Sequence, residues 1–228
     1  MQWTQDVTQE EGLARLAAIA QAYGRIGHVR TTWRAHGRWL RFGDVVYQQE
    51  EGGGRTPSAW EMVERTTPRT GEGVDGVDII ALAKRRSGSE KHIVLVVNFR
   101  PPTGKAVLEF PAGLVDASDA SVETTAVREL REETGLVGSV RDATAASSPF
   151  YYHPAMTNDC GRIVVMDVDL DDPVNTDGPG PKPEDHELVE PVLLPLAGLV
   201  STLAKVHNDL GIGIDSRLFL FAQGLSIL

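Results

Sequence analysis

The chain has 228 residues, 41% hydrophobic and 24% charged, a composition typical of one globular domain with appendages or of two small domains. Its formal net charge of -10 argues against a nucleic acid polymer as the partner, since proteins that bind such polymers carry a basic patch. With Cys160 as the single cysteine, an intrachain disulfide and a four-cysteine zinc site are both excluded.

Predicted elements follow from hydrophobic periodicity and from glycine and capping signals. In chain order they are a helix at residues 9–24, strands at 38–49, 58–67, 78–84, 92–100 and 106–110, a helix at 121–134, strands at 139–150, 161–169 and 188–194, and helices at 196–209 and 215–226. Because strands surround one central helix and helices follow at the end, the pattern predicts an α+β fold with a mixed sheet between helices.

Targeting signals are not evident. Residues 1–6 contain no basic segment followed by an apolar core, so a secretory signal is not expected. Apolar runs such as residues 93–97 are far shorter than the roughly 20 residues of a membrane-spanning helix. We therefore expect a cytoplasmic protein that does not enter the membrane, with the nucleus as an alternative location.

The central helix carries the clearest chemical signal. Glu129 and Glu133 stand four residues apart with Glu132 between them, so three carboxylates can share one helix face. Like charges at this spacing destabilise a helix by about 0.2–0.5 kcal/mol per pair, and Mg²⁺, which prefers carboxylate and carbonyl oxygens, would compensate. The alternative is a solvated charged helix with Arg128 and Arg131 as salt-bridge partners.

The segment around this helix resembles the Nudix box, G-x5-E-x7-R-E-U-x-E-E-x-G-U, in which U is an aliphatic residue. The stretch Arg128-Glu-Leu-Arg-Glu-Glu-Thr-Gly-Leu136 matches at every specified position. The front half departs from the pattern, because one extra residue separates Gly113 from Arg128 and the first glutamate falls on Asp119 or Ala120. In the family that glutamate supports the helix or the metal site, so the departure bears on metal affinity more than on fold.

Further stretches resemble the eukaryotic ADP-sugar pyrophosphatases of the Nudix superfamily, over about residues 38–226. They are Trp60-Glu-Met-Val-Glu-Arg-Thr-Thr67, Val97-Asn-Phe-Arg-Pro-Pro102, Glu109-Phe-Pro-Ala-Gly-Leu114 and Lys182-Pro-Glu-Asp-His-Glu-Leu-Val-Glu190. The resemblance implies a Nudix fold with an N-terminal antiparallel sheet exchanged between the subunits of a homodimer. It also implies three segments: a helical extension at 1–37, a dimerisation sheet at 38–70 and a Nudix hydrolase domain at 71–228.

The resemblance implies a metal site on the central helix and a catalytic acid in a later loop. Metal ligands would be the Ala112 carbonyl and the Glu129, Glu132 and Glu133 carboxylates, with Mg²⁺ as the cation and Mn²⁺ as the alternative. Besides Glu133, the implied catalytic residue is Glu187, which would deprotonate or orient the attacking water. Asp185 and Glu190 are nearby alternatives for that role.

Substrate contacts implied by the resemblance lie on both sides of this helix in sequence. Trp39 and Trp60 would sandwich the adenine ring, one from each protomer, although either could instead be a core tryptophan. The remaining expected contacts to the base, ribose and phosphates are Glu61, Arg65, Arg100 and Leu114.

The expected function is therefore Mg²⁺-dependent hydrolysis of the diphosphate of ADP-ribose or a related ADP-sugar, giving AMP and a sugar phosphate. Two alternatives stay open. The chain could be a Nudix hydrolase of another nucleoside diphosphate derivative, or a nucleotide-binding sensor with impaired catalysis.

Overall fold

The computed structural model describes residues 8–24, 26–49, 58–67, 73–141, 148–183 and 188–227. The chain forms two compact units. The N-terminal unit comprises Met1–Thr67 and His153–Asn158, and the second unit comprises Pro68–Tyr152 and Asp159–Leu228. Among the described residues, no helix combines the length and apolar character that crossing a membrane requires.

In the N-terminal unit, the described residues form one helix and a three-stranded antiparallel sheet. Its elements are α1 (Gln9–Tyr23), β1 (Ile26–His36), β2 (Leu40–Gln49) and β3 (Ser58–Arg65), with β2 in the centre of the sheet. Helix α1 is capped by Thr8, whose side chain forms a reciprocal capping box with that of Glu11. This confirms the helix that the sequence predicted at residues 9–24.

Strand β1 was not predicted, and it changes the expected boundary of the sheet. Residues 1–37 were expected to be a helical extension, but Ile26–His36 pair with β2 along nearly their full length. Many positions of β1 carry polar or charged side chains and most are exposed, so the apolar alternation of a half-buried strand is weak there. The sheet therefore begins at residue 26 rather than 38.

The described part of the second unit is built on a nine-stranded mixed sheet. In chain order its elements are β4 (Gly76–Lys84), β5 (Lys91–Arg100), β6 (Lys105–Glu109), β7 (Ala112–Leu114), α2 (Val122–Thr134), β8 (Ser139–Val140), β9 (Phe150–Tyr151), β10 (Cys160–Asp169), α3 (Pro173–Thr176), β11 (Val189–Pro195), α4 (Leu199–Leu210), β12 (Gly213–Ile214) and α5 (Ser216–Ile227). The pairs β4–β10 and β6–β12 are parallel, and the other pairs are antiparallel.

The sheet lies between helices, as the sequence predicted. Alternate residues of β4 serve the two sides: Ile79 packs in the core that contains Leu130 of α2, whereas Ile80 packs in the core that contains Leu203 of α4 and Leu218 of α5. A strand buried on both faces is apolar along most of its length, which explains the apolar runs at residues 79–83 of β4 and 93–97 of β5. The α+β class is thereby confirmed.

Helix α2 has the ends that its sequence predicted. The Ser121 side chain accepts a hydrogen bond from the Thr124 backbone N–H, and Gly135 follows the helix with φ 73° in the left-handed region. Helix α2 is thus fixed at both ends beside β7.

The predicted strand at 139–150 is found as the two short strands β8 and β9, on either side of residues 142–147, which lie outside the described residues.

Candidate active site

Glu133 joins the central helix to strand β7. Its side chain is buried, and its Oε2 accepts a hydrogen bond from the Ala112 backbone N–H at 3.0 Å. A buried carboxylate is costly unless hydrogen bonds or a nearby cation stabilise it, so this contact holds the acid against the strand. The backbone of Ala112, whose carbonyl the sequence predicted as a metal ligand, is therefore directly beside Glu133.

Glu129 approaches the same strand at Gly113. A Cβ atom added at position 113 would lie 2.0 Å from the Glu129 carboxyl carbon, so any residue other than glycine would displace that carboxylate. This close approach gives a physical reason for the glycine at the start of the predicted motif. Glu129 and Glu133 therefore both converge on β7.

Arg128 connects two of the three predicted metal-binding carboxylates. Its Nη1 donates hydrogen bonds to Glu129 Oε1 at 2.8 Å and to Glu132 Oε2 at 3.0 Å, and its Nη2 donates to the Leu114 carbonyl at 3.2 Å. The salt-bridge role that the sequence left open for Arg128 is thus present. Partial burial opposes the charge of Arg128, but hydrogen bonds and charges from Asp119 and Glu129 raise the pKa of its guanidinium above the ordinary value.

Asp119, one of the two residues that align with the first glutamate of the family motif, is a further partner of Arg128. Its Oδ2 accepts hydrogen bonds from Arg128 Nη2 and from the Thr125 hydroxyl, each at 2.9 Å. The hydrogen bond from Arg128 lowers the pKa of the Asp119 carboxyl, against the opposing effect of burial. The shorter side chain therefore supports the helix through Arg128.

The donor chemistry of this region fits a hard divalent cation, since it offers carboxylate oxygens and a backbone carbonyl. Within the described ranges, no three Asp, Glu, His or Cys side chains converge as a complete ligand set. The reason is visible in the contacts, because Glu129 and Glu132 are turned toward Arg128. A cation held here would share or replace the guanidinium as their counter-charge.

Glu187, the predicted catalytic acid, lies outside the described residues, as does Asp185. On either side of residues 184–187, the described backbone is hydrogen-bonded to α2, which carries Glu132, and to β5, which carries Arg100. The Lys182 backbone N–H donates to the Glu132 carbonyl at 2.7 Å, and the Leu188 carbonyl accepts from the Phe99 N–H at 3.3 Å.

Arg100 was predicted to bind phosphate or ribose, and the structure places its guanidinium on Glu109. Nε donates to Glu109 Oε1 at 2.9 Å, while the Glu109 carboxylate is buried. The hydrogen bond with Glu109 raises the pKa of Arg100, and Glu133 contributes to the same electrostatic environment. Leu114, also predicted as a substrate contact, is partly exposed at the end of β7.

A second charged cluster lies behind β7 and was not predicted. Arg217 Nη1 donates to Asp78 Oδ1 at 2.6 Å, and Nε donates to Asp215 Oδ1 at 2.9 Å. The Tyr152 hydroxyl donates to the other Asp78 oxygen at 3.0 Å, and the Arg217 guanidinium lies 4.9 Å from the Tyr152 ring centroid. Asp78 is paired with Ala112 in the β4–β7 register, so the cluster buttresses the strand that contacts Glu133.

The remaining predicted residues lie in the N-terminal unit, Trp39 in the turn between β1 and β2 and the others on β3. Trp39 and Trp60 are both more than half exposed, which disfavours the alternative that they are core tryptophans. Trp60 Nε1 donates to the Ala155 carbonyl at 2.7 Å, and Glu61 is ion-paired with Arg34 at 3.0 Å. Arg65 ends β3 opposite Leu40.

The structure thus brings Ala112, Glu129 and Glu133 together, with Glu132 tethered to them through Arg128. Sequence reasoning missed the Arg217 cluster, because its partners lie up to 139 residues apart in the chain. The contact from Arg128 to Glu132, at i,i+4 spacing on one helix, is of the kind that the sequence left open as a salt bridge.

Comparison with known proteins matches residues 74–210 to the NUDIX domain. The chain is 39% identical to an uncharacterised Nudix hydrolase of Schizosaccharomyces pombe over 188 residues, which cover 82% of this chain and 86% of that protein. It is 34% identical to the ADP-sugar pyrophosphatase of Mus musculus (85% and 83% covered) and 32% identical to the ADP-ribose pyrophosphatase of Saccharomyces cerevisiae (87% and 80% covered).

Proposed function

The chain belongs to the Nudix hydrolase family, and on that premise we propose that it hydrolyses the diphosphate of ADP-ribose or a related ADP-sugar to AMP and a sugar phosphate. The observation that carries this proposal is the convergence of Glu129 and Glu133 on β7 beside Ala112. Relatives named for ADP-sugar and ADP-ribose support the substrate class, since this chain covers at least 80% of each of them.

The proposed cation is Mg²⁺, with Mn²⁺ as the alternative, held by the Ala112 carbonyl and by Glu129, Glu132 and Glu133. When bound, it would neutralise diphosphate charge and lower the pKa of a water molecule. The protein's own contribution is to hold Glu133 against β7 through the Ala112 N–H, and to keep Glu129 and Glu132 ordered through Arg128. In a chain of net charge -10, this local cation is needed to admit a polyanionic substrate.

Glu187 is proposed to deprotonate or orient the attacking water, with Glu133 as the second catalytic residue. Support comes from the backbone hydrogen bonds that flank residues 184–187, from Lys182 to Glu132 and from Phe99 to Leu188. They tie both ends of this segment to the helix and the strand that carry Glu132 and Arg100. Arg100 and Leu114 are proposed to contact the phosphates and ribose. Glu109 keeps the guanidinium of Arg100 charged and ordered, which suits it to a second, bidentate anion contact.

The base is proposed to bind the N-terminal unit, with Trp39 of one protomer and Trp60 of the other on its two faces. In one chain these residues are well separated, because Trp60 pairs with Val45, six residues beyond Trp39. Six residues of a strand span about 20 Å, too far for one chain to enclose a ring between both indoles. This spacing supports a homodimer in which Glu61 and Arg65 also contact the nucleoside.

A cytoplasmic location, with the nucleus as the alternative, stays a prediction.

The proposal is tested by incubating the purified protein with ADP-ribose and Mg²⁺ and separating the products by anion-exchange chromatography. Equal amounts of AMP and ribose 5-phosphate are expected, and none with EDTA. Failure with ADP-ribose but rapid turnover of another nucleoside diphosphate derivative would assign a different substrate. Tight ADP-ribose binding by calorimetry, without turnover at any divalent metal concentration, would instead identify a catalytically impaired sensor.

A further inference from the structure

Asn98 on strand β5 is a buried polar residue whose side chain has no hydrogen-bond partner. It is 7% exposed, and no hydrogen bond joins its side-chain amide to another residue in the described ranges. The other buried polar residues in those ranges all form hydrogen bonds through their side chains; they are Asp75, Asp78, Glu109, Thr125, Glu133 and Thr134. A buried polar group without a partner destabilises the fold, so each exception calls for an explanation such as a bound ligand.

Strand alternation turns Asn98 toward the side of the sheet that carries α2. Val94 packs in the core on the α2 side, whereas Val97 packs in the core on the side of α4 and α5. Because successive side chains of a strand point to opposite faces, Asn98 and Arg100 share the face of Val94. Asn98 therefore lies on the same face as the arginine that is proposed to contact phosphate.

The ion pair next to Asn98 leaves its amide without a partner. Glu109 lies on the same face, because it pairs with Val96, and its two carboxylate oxygens accept hydrogen bonds from Arg100. Val107, the residue opposite Asn98 on β6, lines a cavity of about 290 Å³ together with Arg100 and Glu109. Space for a ligand group therefore extends to the strand position opposite Asn98.

The chemistry of a carboxamide next to an arginine favours an anionic oxygen as the missing partner. The Asn98 amide nitrogen offers two N–H donors and carries no net charge. It can therefore bind an anion without disturbing the balance of charge between Arg100 and Glu109. Hydrogen bonds to charged groups are also stronger than those between neutral groups, so an anionic oxygen best compensates a buried donor.

We propose that Asn98 is a further substrate-binding residue, whose side-chain amide donates a hydrogen bond to an oxygen of the substrate diphosphate next to Arg100. This inference rests on the proposed function and deepens it. The buried amide gains its partner when the substrate binds, so it costs stability in the free protein and contributes affinity in the complex.

Asn98→Leu tests the contribution to affinity, because it replaces the amide by an apolar group of similar shape. Calorimetry with ADP-ribose in EDTA measures binding without turnover, and we expect Kd to rise about tenfold or more, the usual weight of one hydrogen bond to a charged group. With Mg²⁺ present, kcat/KM for ADP-ribose should fall by a similar factor.

Asn98→Asp tests the nature of the bound group. It keeps the shape of the side chain but replaces the N–H donor by a carboxylate, which would repel an anionic oxygen. Its Kd for ADP-ribose should therefore exceed that of Asn98→Leu. An affinity close to wild type would overturn the diphosphate assignment, because a carboxylate can accept a hydrogen bond from a ribose hydroxyl but cannot donate to a phosphate.

The stability of the free protein separates substrate binding from a role in folding. Asn98→Leu should melt at or above the wild-type temperature, since it removes a buried amide that has no partner. Asn175→Leu is the matched control, because the Asn175 amide donates to the Val137 and Asp169 carbonyls and accepts from the Val137 N–H. It should melt below wild type and keep the affinity for ADP-ribose.

Two results would overturn the role of Asn98. One is equal ADP-ribose affinity and equal kcat/KM in wild type and Asn98→Leu, and the other is a fall in melting temperature as large as that of Asn175→Leu. Failure of the proposed function would look different, because wild type itself would then neither bind nor hydrolyse ADP-ribose.

Discussion

Two arginine–carboxylate clusters flank strand β7, and they differ in how firmly they are held. Arg128 is partly exposed, and its guanidinium donates hydrogen bonds to three acids, Asp119, Glu129 and Glu132. Arg217 lies between Asp78 and Asp215, and the Asp78 side chain is only 1% exposed. The first cluster has an excess of negative charge that a cation can use, whereas the second satisfies its buried acid with an arginine and a tyrosine.

The difference indicates a division of labour around one strand. In the Arg217 cluster, the hydrogen-bonded acid is Asp78 of β4, which pairs with Ala112 of β7. Because Asp78 is buried, the cluster has little room to rearrange and can act as a fixed support for β7. The Arg128 cluster orders carboxylates that would change partner if the proposed cation binds. Buried charge pairs are costly to break, whereas exposed ones contribute little to stability, so substitutions in the two clusters should have different signatures.

The largest effect is expected from Glu133→Gln, which keeps an oxygen acceptor for the Ala112 N–H but removes the charge. We expect kcat to fall roughly 10²–10⁴-fold, because a proposed cation ligand loses its charge while the fold is kept. Steady-state kinetics measure the fall in kcat, and a thermal melt checks that the fold is kept. Glu123→Gln, on the same helix but in its first turn, is the matched control and should retain activity. An unchanged kcat in Glu133→Gln would refute the metal assignment.

Arg217→Met should show the opposite signature, a loss of stability. Removing the guanidinium leaves Asp78 buried without its cation, and this typically costs about 3 kcal/mol of unfolding free energy. Burial already raises the pKa of Asp78, against the effects of Arg217 and Tyr152, so the deficit should shrink at acid pH, where the carboxyl is neutral. Urea unfolding at two pH values measures this.

Arg141→Met provides the comparison for Arg217→Met, because Arg141 also pairs with an aspartate, Asp167, but at a more exposed position. Its loss should cost less than about 1 kcal/mol. Equal destabilisation by the two substitutions would mean that the burial of Asp78 does not distinguish the clusters.

Arg128→Met tests whether arginine and cation serve the same carboxylates. In EDTA we expect a loss of about 1–2 kcal/mol, since three acids lose a shared donor that is itself partly exposed. Millimolar Mg²⁺ should restore more stability to the variant than it adds to wild type, because binding to the folded state stabilises it by mass action. Thermal melts with and without Mg²⁺ measure both. Arg131→Met on the same helix is the control, and an equal Mg²⁺ effect in all three proteins would contradict the shared role.

The contrast between the clusters also explains what the sequence could predict. Glu129, Glu132 and Glu133 lie on one helix with clear capping signals, so local spacing was enough to group them. The Arg217–Asp78 contact joins residues 139 positions apart, and no local pattern reports such a pair. Strand β1 escaped prediction for a related reason: with polar side chains on a largely exposed sheet, it lacks the apolar alternation by which strands are recognised.

The smallest effect, and the sharpest test of the Arg128 cluster's electrostatics, is expected from Asp119→Asn. Arg128 lowers the pKa of Asp119, so the ionised acid stabilises the fold above the unfolded pKa near 3.9, and this contribution is lost as pH falls through the lower folded value. At pH 7 the variant should be less stable by under about 1 kcal/mol, and the difference should disappear as pH falls through the folded pKa of Asp119. Asp116→Asn, at a more exposed and more distant partner of Arg128, should show no such difference. A deficit that persisted unchanged into acid would mean that shape at position 119, rather than charge, supports the helix.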